Sequence, residues 1–364
     1  MKFSCTKENF AKGLSIVSHV AGRNANLPIL DNILLSAQQG VLVFTSTNLE
    51  VGIRSRIRGK IDIEGSFTVQ AKLLAEYVSL LPNERIDVEL KDQILHLKCA
   101  GHATAMKGIS SEEFPLIPEV KREKEVIVQA AALKEAIQKT AFAVATDDTR
   151  PEISGVFCAQ SEKLLTLAAT DSYRLAEKTI PVEKSSGSFR LILPLRTLQD
   201  LLRVLGEAEM AQFYLGDNQI LFVVGETEIV SRLIEGQYPD YKQIIPTEYT
   251  TRVTAPTQPF ITAIKTAGLF SKSGVHDVHL QVHPKERQLA IHGANAQLGE
   301  DTSLIPIEVE GKENAIVFNY RYLLEGLTSF DSEEVVLDLI NPTNPGVVRP
   351  KDSNGAIYIV MPIK

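Results

Sequence analysis

Asn32-Ile33-Leu34-Leu35, leading to the polar pair Thr47-Asn48, decides the fold because the pattern returns twice. Ser154-Gly155-Val156-Phe157 leads to Thr170-Asp171, and His279-Leu280-Gln281-Val282 leads to Ala294-Asn295, at a spacing of roughly 124 residues. Phe114-Pro115 and Tyr238-Pro239 keep that interval. The chain is therefore three copies of one domain. Asn48, Asp171 and Asn295 read as turn residues, since short polar side chains bond the backbone two residues on.

A shorter period lies inside the longer one. Apolar residues near i, i+3, i+4 and i+7 mark helices beginning close to Thr6, Gln70, Ala130, Pro194, Thr257 and Asn319, about 60 to 64 residues apart. In the second helix Leu73, Leu74, Tyr77, Val78 and Leu81 form the face to be buried; in the third, Leu133, Ile137, Thr140, Ala141 and Val144 do so. A short β-rich run precedes every helix, from Lys2-Phe3-Ser4-Cys5 to Ala315-Ile316-Val317-Phe318, and period-two strand patterns follow. The expected fold is α+β: three repeated domains in series, each with two helices on one face of curved, mostly antiparallel sheets. Charged or polar segments at Lys121-Arg122-Glu123-Lys124-Glu125 and Thr247-Glu248-Tyr249-Thr250-Thr251 set the domains at 1–122, 123–249 and 250–364.

Length and composition agree, because 364 residues exceed what one core holds and 44% hydrophobic with 23% charged residues is ordinary globular usage. The start Met1-Lys2-Phe3-Ser4-Cys5 lacks an apolar signal region, and no uncharged stretch is apolar enough to span a bilayer. A cytoplasmic protein without membrane partners is expected. Cys5, Cys99 and Cys158 are odd in number and far apart, which suits reduced core thiols.

Phosphate-loop, dinucleotide, nucleophile-elbow and zinc-protease signatures are absent, so no catalytic residue and no cofactor are expected. His276, His279, His283 and His292 cluster in sequence, but four residues along a strand span roughly 13 Å, too far to share a metal. Asp147, Asp148 and Asp171 would serve a metal-dependent phosphodiesterase; a solvated loop and a turn residue are the competing reading. Charge is more informative. The formal net charge is −7, yet the helices and the loops after them carry more Lys and Arg than Asp and Glu. Lys7, Lys12, Arg23, Lys72, Lys134, Lys139, Arg150, Arg196, Arg203, Lys265, Lys272 and Arg321 make a basic helical surface on an acidic body. Helices facing a polyanion give this sorting, as does a simple preference of exposed helices for Lys and Arg. A repeat-built interaction scaffold unrelated to DNA is a further alternative.

Leu27-Pro28-Ile29-Leu30, Ala169-Thr170-Asp171-Ser172-Tyr173-Arg174-Leu175-Ala176, Gly236-Gln237-Tyr238-Pro239-Asp240-Tyr241 and Val360-Met361-Pro362-Ile363 together resemble the bacterial sliding clamps, the beta subunits of DNA polymerase III, from the first residue to the last. The resemblance implies the DNA clamp fold, assembled head to tail as a homodimeric ring around duplex DNA. It implies a non-catalytic processivity factor whose partners are the replicative polymerase, the clamp loader and other proteins carrying clamp-binding peptides. The matching peptide-pocket positions are Ile153, Thr170, Ser172, Tyr173, Arg174, Leu175, Pro239, Gln243, Ile244, Ile359, Val360, Met361, Pro362 and Ile363. Tyr173 stands where His is usual and Gln243 where Arg is frequent; Val360, Met361 and Ile363 also read as an ordinary last strand. DNA contacts carry over to Arg23, Arg150 and Arg196, and the subunit contact to Leu269 and Phe270 against Thr104 and Met106. Burial of Leu269 and Phe270 inside their own domain is the alternative.

Overall fold

In the computed structural model, residues 1–21, 27–147, 149–272, 274–352 and 355–363 are described. Six α-helices lie among them: α1 (Lys7–Val17), α2 (Ala71–Leu80), α3 (Ala130–Thr140), α4 (Leu195–Val204), α5 (Thr257–Gly268) and α6 (Tyr320–Thr328). Each follows directly on a short strand, at the starts the periodicity predicts. Caps fix two of these starts. The Thr6 hydroxyl accepts from the Asn9 amide at 3.2 Å, and the Asn319 side chain accepts from the Arg321 amide at 3.0 Å.

The turns repeat down to their hydrogen bonds. Asn48 Oδ1 accepts from the amides of Glu50 and Val51, and Asp171 Oδ1 from those of Tyr173 and Arg174. Thr47 and Thr170 each accept from the amide two residues on and donate to the carbonyl four residues on. Leu49 and Ser172 both adopt left-handed backbone, at φ 75° and 77°. Asn295 keeps the capping bond, to Gln297.

The chain forms two compact units. The first comprises 1–134, 182–187 and 196–233, built on a fourteen-stranded sheet in which strand Val51–Ile57 pairs antiparallel with Thr227–Arg232. The second comprises 135–181, 188–195 and 234–364, with one sheet of nine strands and one of four. In its larger sheet, Arg174–Pro181 pairs antiparallel with Ala356–Val360. Both sheets therefore run across the proposed repeat boundaries in hydrogen-bonded register.

Helix faces pack largely as the stripes predict. Leu74 and Val78 of α2 are fully buried, a burial worth about 1.5–3 kcal/mol each. Leu73 corrects the expectation: it is 49% exposed, because Ala71, Leu74 and Val78 set the buried line and Leu73 lies about 100° off it. In the third stripe Leu133, Ile137, Thr140 and Val144 are buried, while Ala141 opens a 3-10 turn and is half-buried. Lys139 is likewise no free helix cation, since its side chain is 10% exposed and bonds Glu135, which Lys178 also meets at 3.1 Å. The three cysteines are buried free thiols, and burial pushes Cys5, next to Asp87, and Cys158 up to about 12.

Candidate functional site

Several residues singled out from the sequence come together in the second unit, where two sequence-distant strands meet. Arg174 pairs with Val360 and Leu175 with Ile359, so the Thr170–Leu175 turn and the C-terminal strand share one ladder. Leu175, Ile153 and Ile359 enter one buried apolar cluster with Ala168, Ile192, Tyr238, Tyr241 and Val347. Beyond Met361 the strand changes partner. Met361 donates its amide to the Tyr173 carbonyl at 2.9 Å, Pro362 has no amide to give, and Ile363 turns away to the Val317 carbonyl at 2.9 Å. Met361, bonded to Tyr173, and Ile363 are half-buried, while Tyr173 is 62% exposed and Ile244 47% exposed. Pro239 accepts from the Tyr241 amide at 2.8 Å and Gln243 caps Asp240 at 2.9 Å, so this segment is braced locally. A neutral amide stands at the Gln243 position.

Arg174 organises the polar side. Its Nε donates to Asp171 at 2.9 Å, one terminal nitrogen to the Phe142 carbonyl at 2.9 Å, and the other to the Glu325 carboxylate. The guanidinium lies 4.6 Å from the Tyr322 ring centroid, and Tyr322 stacks on Tyr173 at 6.4 Å. Burial would lower the Arg174 pKa, but Glu325, Tyr358 and Asp171 outweigh it and hold it above the ordinary value. Burial and the neighbouring Glu177 carboxylate, which accepts from its hydroxyl, hold Tyr241 above the phenol range. The helix supplying Tyr322 and Glu325 sits close on the last strand because Gly326 lies against the Tyr358 ring, where a Cβ would come within 2.1 Å. Tyr322, Glu325 and Phe142 escape the sequence reading: they look like surface and face positions of separate elements until the fold brings them to Arg174.

Of the remaining predicted positions, Arg150 reaches the Thr170–Leu175 turn. Arg150 is exposed and donates to Glu152 at 3.1 Å and Ser172 at 3.0 Å; Arg196 is half-buried in the first turn of α4. Arg23 and Asp148 fall outside the described residues. Leu269 is 72% exposed just after α5, and half-buried Phe270 lies near Gly299. Leu298 and Leu304, 66% and 58% exposed in the same unit, add apolar surface that the sequence reading does not single out. Thr104 is half-buried and Met106 is 5% exposed, packed into the first unit. His279 and His292 face each other with ring centroids 6.1 Å apart, and no group of three or more His, Cys, Asp or Glu among the described residues is placed to hold a metal. No helix among them is long and apolar enough to cross a membrane.

Three family models match in order: the DNA polymerase III beta subunit N-terminal domain at 1–118, its central domain at 127–240 and its C-terminal domain at 242–364. A relative from Synechococcus elongatus named beta sliding clamp is 31% identical over 374 residues, spanning 100% of this chain and 99% of that protein. The chain belongs to the DNA polymerase III beta subunit family. This family is the beta sliding clamp, a non-catalytic processivity factor. Among solved structures, the beta subunit from Pseudomonas aeruginosa aligns with a TM-score of 0.95 at 27% identity over 100% of both chains. The Bacillus subtilis sliding clamp aligns at 0.95 and 25% identity over 100% of this chain and 99% of that one. The clamp fold with three domains and mostly antiparallel sheets is thus shared across the whole length.

Proposed function

We propose that the chain closes head to tail as a homodimeric ring around duplex DNA in the cytoplasm and tethers the replicative polymerase, the clamp loader and other proteins through the pocket at Leu175 and Met361. The observation that supports this reading is the meeting of the Thr170–Leu175 turn with the last strand: Ile153, Leu175 and Ile359 share one buried apolar cluster, and half-buried Met361 is bonded to exposed Tyr173. Such a site suits a short peptide with Leu and Phe anchors, and Met repacks readily for several partners. The domain limits 1–122, 123–249 and 250–364 belong to the same reading.

A head-to-tail contact between unlike ends must close or run on as a filament. Leu269 and Phe270 are proposed to meet the strand carrying Thr104, with Met106 packing behind it. Closure makes release from DNA topological, so weak phosphate contacts from Arg23, Arg150 and Arg196 suffice and the DNA slides. The test is retention on DNA. Protein loaded on a nicked circle is expected to stay at high salt and leave when the circle is cut, and Arg150→Glu with Arg196→Glu to load less. Loss with salt alone would reduce the protein to an electrostatic binder.

A further inference from the structure

A second polar centre lies entirely within the first unit. A cavity of about 370 Å³ is lined by Arg54, Arg56 and Arg122 together with Glu119, Glu226 and Glu228. Arg54 and Arg56 alternate on strand Val51–Ile57 and so share one face, and Glu228 comes from the paired strand Thr227–Arg232. Glu228 is the only one of the three carboxylates that these guanidiniums reach among the described residues. Its side chain is 10% exposed and lies 2.7 Å from Arg122, 3.3 Å from Arg56 and 3.8 Å from Arg54.

One carboxylate does not satisfy three guanidiniums. Together they present roughly fifteen N–H donors, of which Glu228 and the Ile117 carbonyl, 2.9 Å from Arg54, occupy a few. The cations are 31%, 47% and 51% exposed, so their remaining donors are open to a ligand. Arg122 is held over the Tyr214 ring at 5.5 Å, and the Arg56 backbone amide is fixed to the Glu226 carbonyl at 2.9 Å. Glu119 and Glu226 line the same cavity as exposed carboxylates. Planar forks converging from a strand and a separate segment match an acceptor with several oxygens pointing in different directions.

We propose that this cavity is an oxyanion site that takes the phosphoryl group of a small phosphorylated ligand. Its volume accommodates a diphosphate or a nucleotide. The probes are inorganic pyrophosphate and ATP without divalent metal, titrated calorimetrically into the full chain at low salt. Saturable binding tighter than about 1 mM is expected, weakened at least about tenfold by Arg56→Gln and by Arg122→Gln and unchanged by Lys163→Gln, an exposed site in the other unit. Equal affinities for the two probes make the inorganic group the source; tighter ATP binding makes it a nucleotide. If a Gln variant fails to fold, Arg56→Lys and Arg122→Lys keep the charge and lose the fork, and weaker binding by these supports the site. No saturable binding of either probe, or binding indifferent to both arginines, overturns it. Peptide affinity and oligomeric mass, measured alongside, are expected to stay the same in every variant.

Discussion

Arg174 joins a turn, a 3-10 segment and a helix through one guanidinium. Hydrogen bonds to charged partners contribute about 1.5–3 kcal/mol each, and their loss leaves Asp171 with only its backbone amide bonds and Glu325 facing solvent. Arg174→Ala is therefore expected to weaken a Gln-Leu-x-Leu-Phe peptide about tenfold or more by titration calorimetry, with a lowered melting temperature. Unchanged affinity would place the pocket elsewhere. Glu135 offers a test by pH. Burial alone would raise its carboxyl, but Lys139 and Lys178 hold it below the ordinary value. A depressed native pKa gives stability present above the unfolded value and lost as pH falls through the native one. Glu135→Gln should thus lower the melting temperature at pH 7, and that difference should shrink as the pH is taken down through the acid range. The effect should be small, since the side chain is 42% exposed. Legibility at this scale divides by sequence distance. Asp171 and Arg174 announce themselves inside one turn, whereas Glu325 is 151 positions from Arg174 and no local pattern connects them.

Elements are where the sequence speaks most clearly, because every helix start carries both an apolar stripe and a preceding β-rich run. The misreading of Leu73 has a simple cause: with Leu73 and Leu74 adjacent, periodicity admits both, and only packing chooses between neighbours about 100° apart. The last strand shows a similar limit. Val360 is fully buried and pairs with both Arg174 and Gly346, so it belongs to the core; beyond it the Met361 amide still bonds Tyr173, and Pro362 and Ile363 pass to Phe318 and Val317. A chain ending at Val360 keeps that core pairing and should therefore still fold, with a somewhat lower melting temperature, yet bind the peptide more weakly by about 2 kcal/mol or more, the scale of hot-spot loss. A labelled-peptide titration of both forms decides it. A truncated chain that fails to fold would make the tail chiefly structural.

For the whole molecule, the proposed ring makes apolar surface at Leu269 and Phe270 the place to intervene. Phe270→Asp would bury an unpaired charge at the subunit contact, a cost of several kcal/mol, and monomers are the expected sedimentation result. An unchanged dimer mass would move the interface. The threefold repeat was fully legible as a period in the sequence, but the pairing between repeats was not, since strand partners at long separation leave no local signal. That pairing has a consequence for dissection. Cut out as residues 123–249, the central repeat would lose the partner of Thr227–Arg232 in the first copy and the partner of Arg174–Pro181 in the third. It would then present two naked sheet edges, each a row of unmatched amides and carbonyls ready to template another chain. The unit that recurs in the sequence is thus unsuited to exist alone, and a solubility assay on that fragment should find it in the pellet.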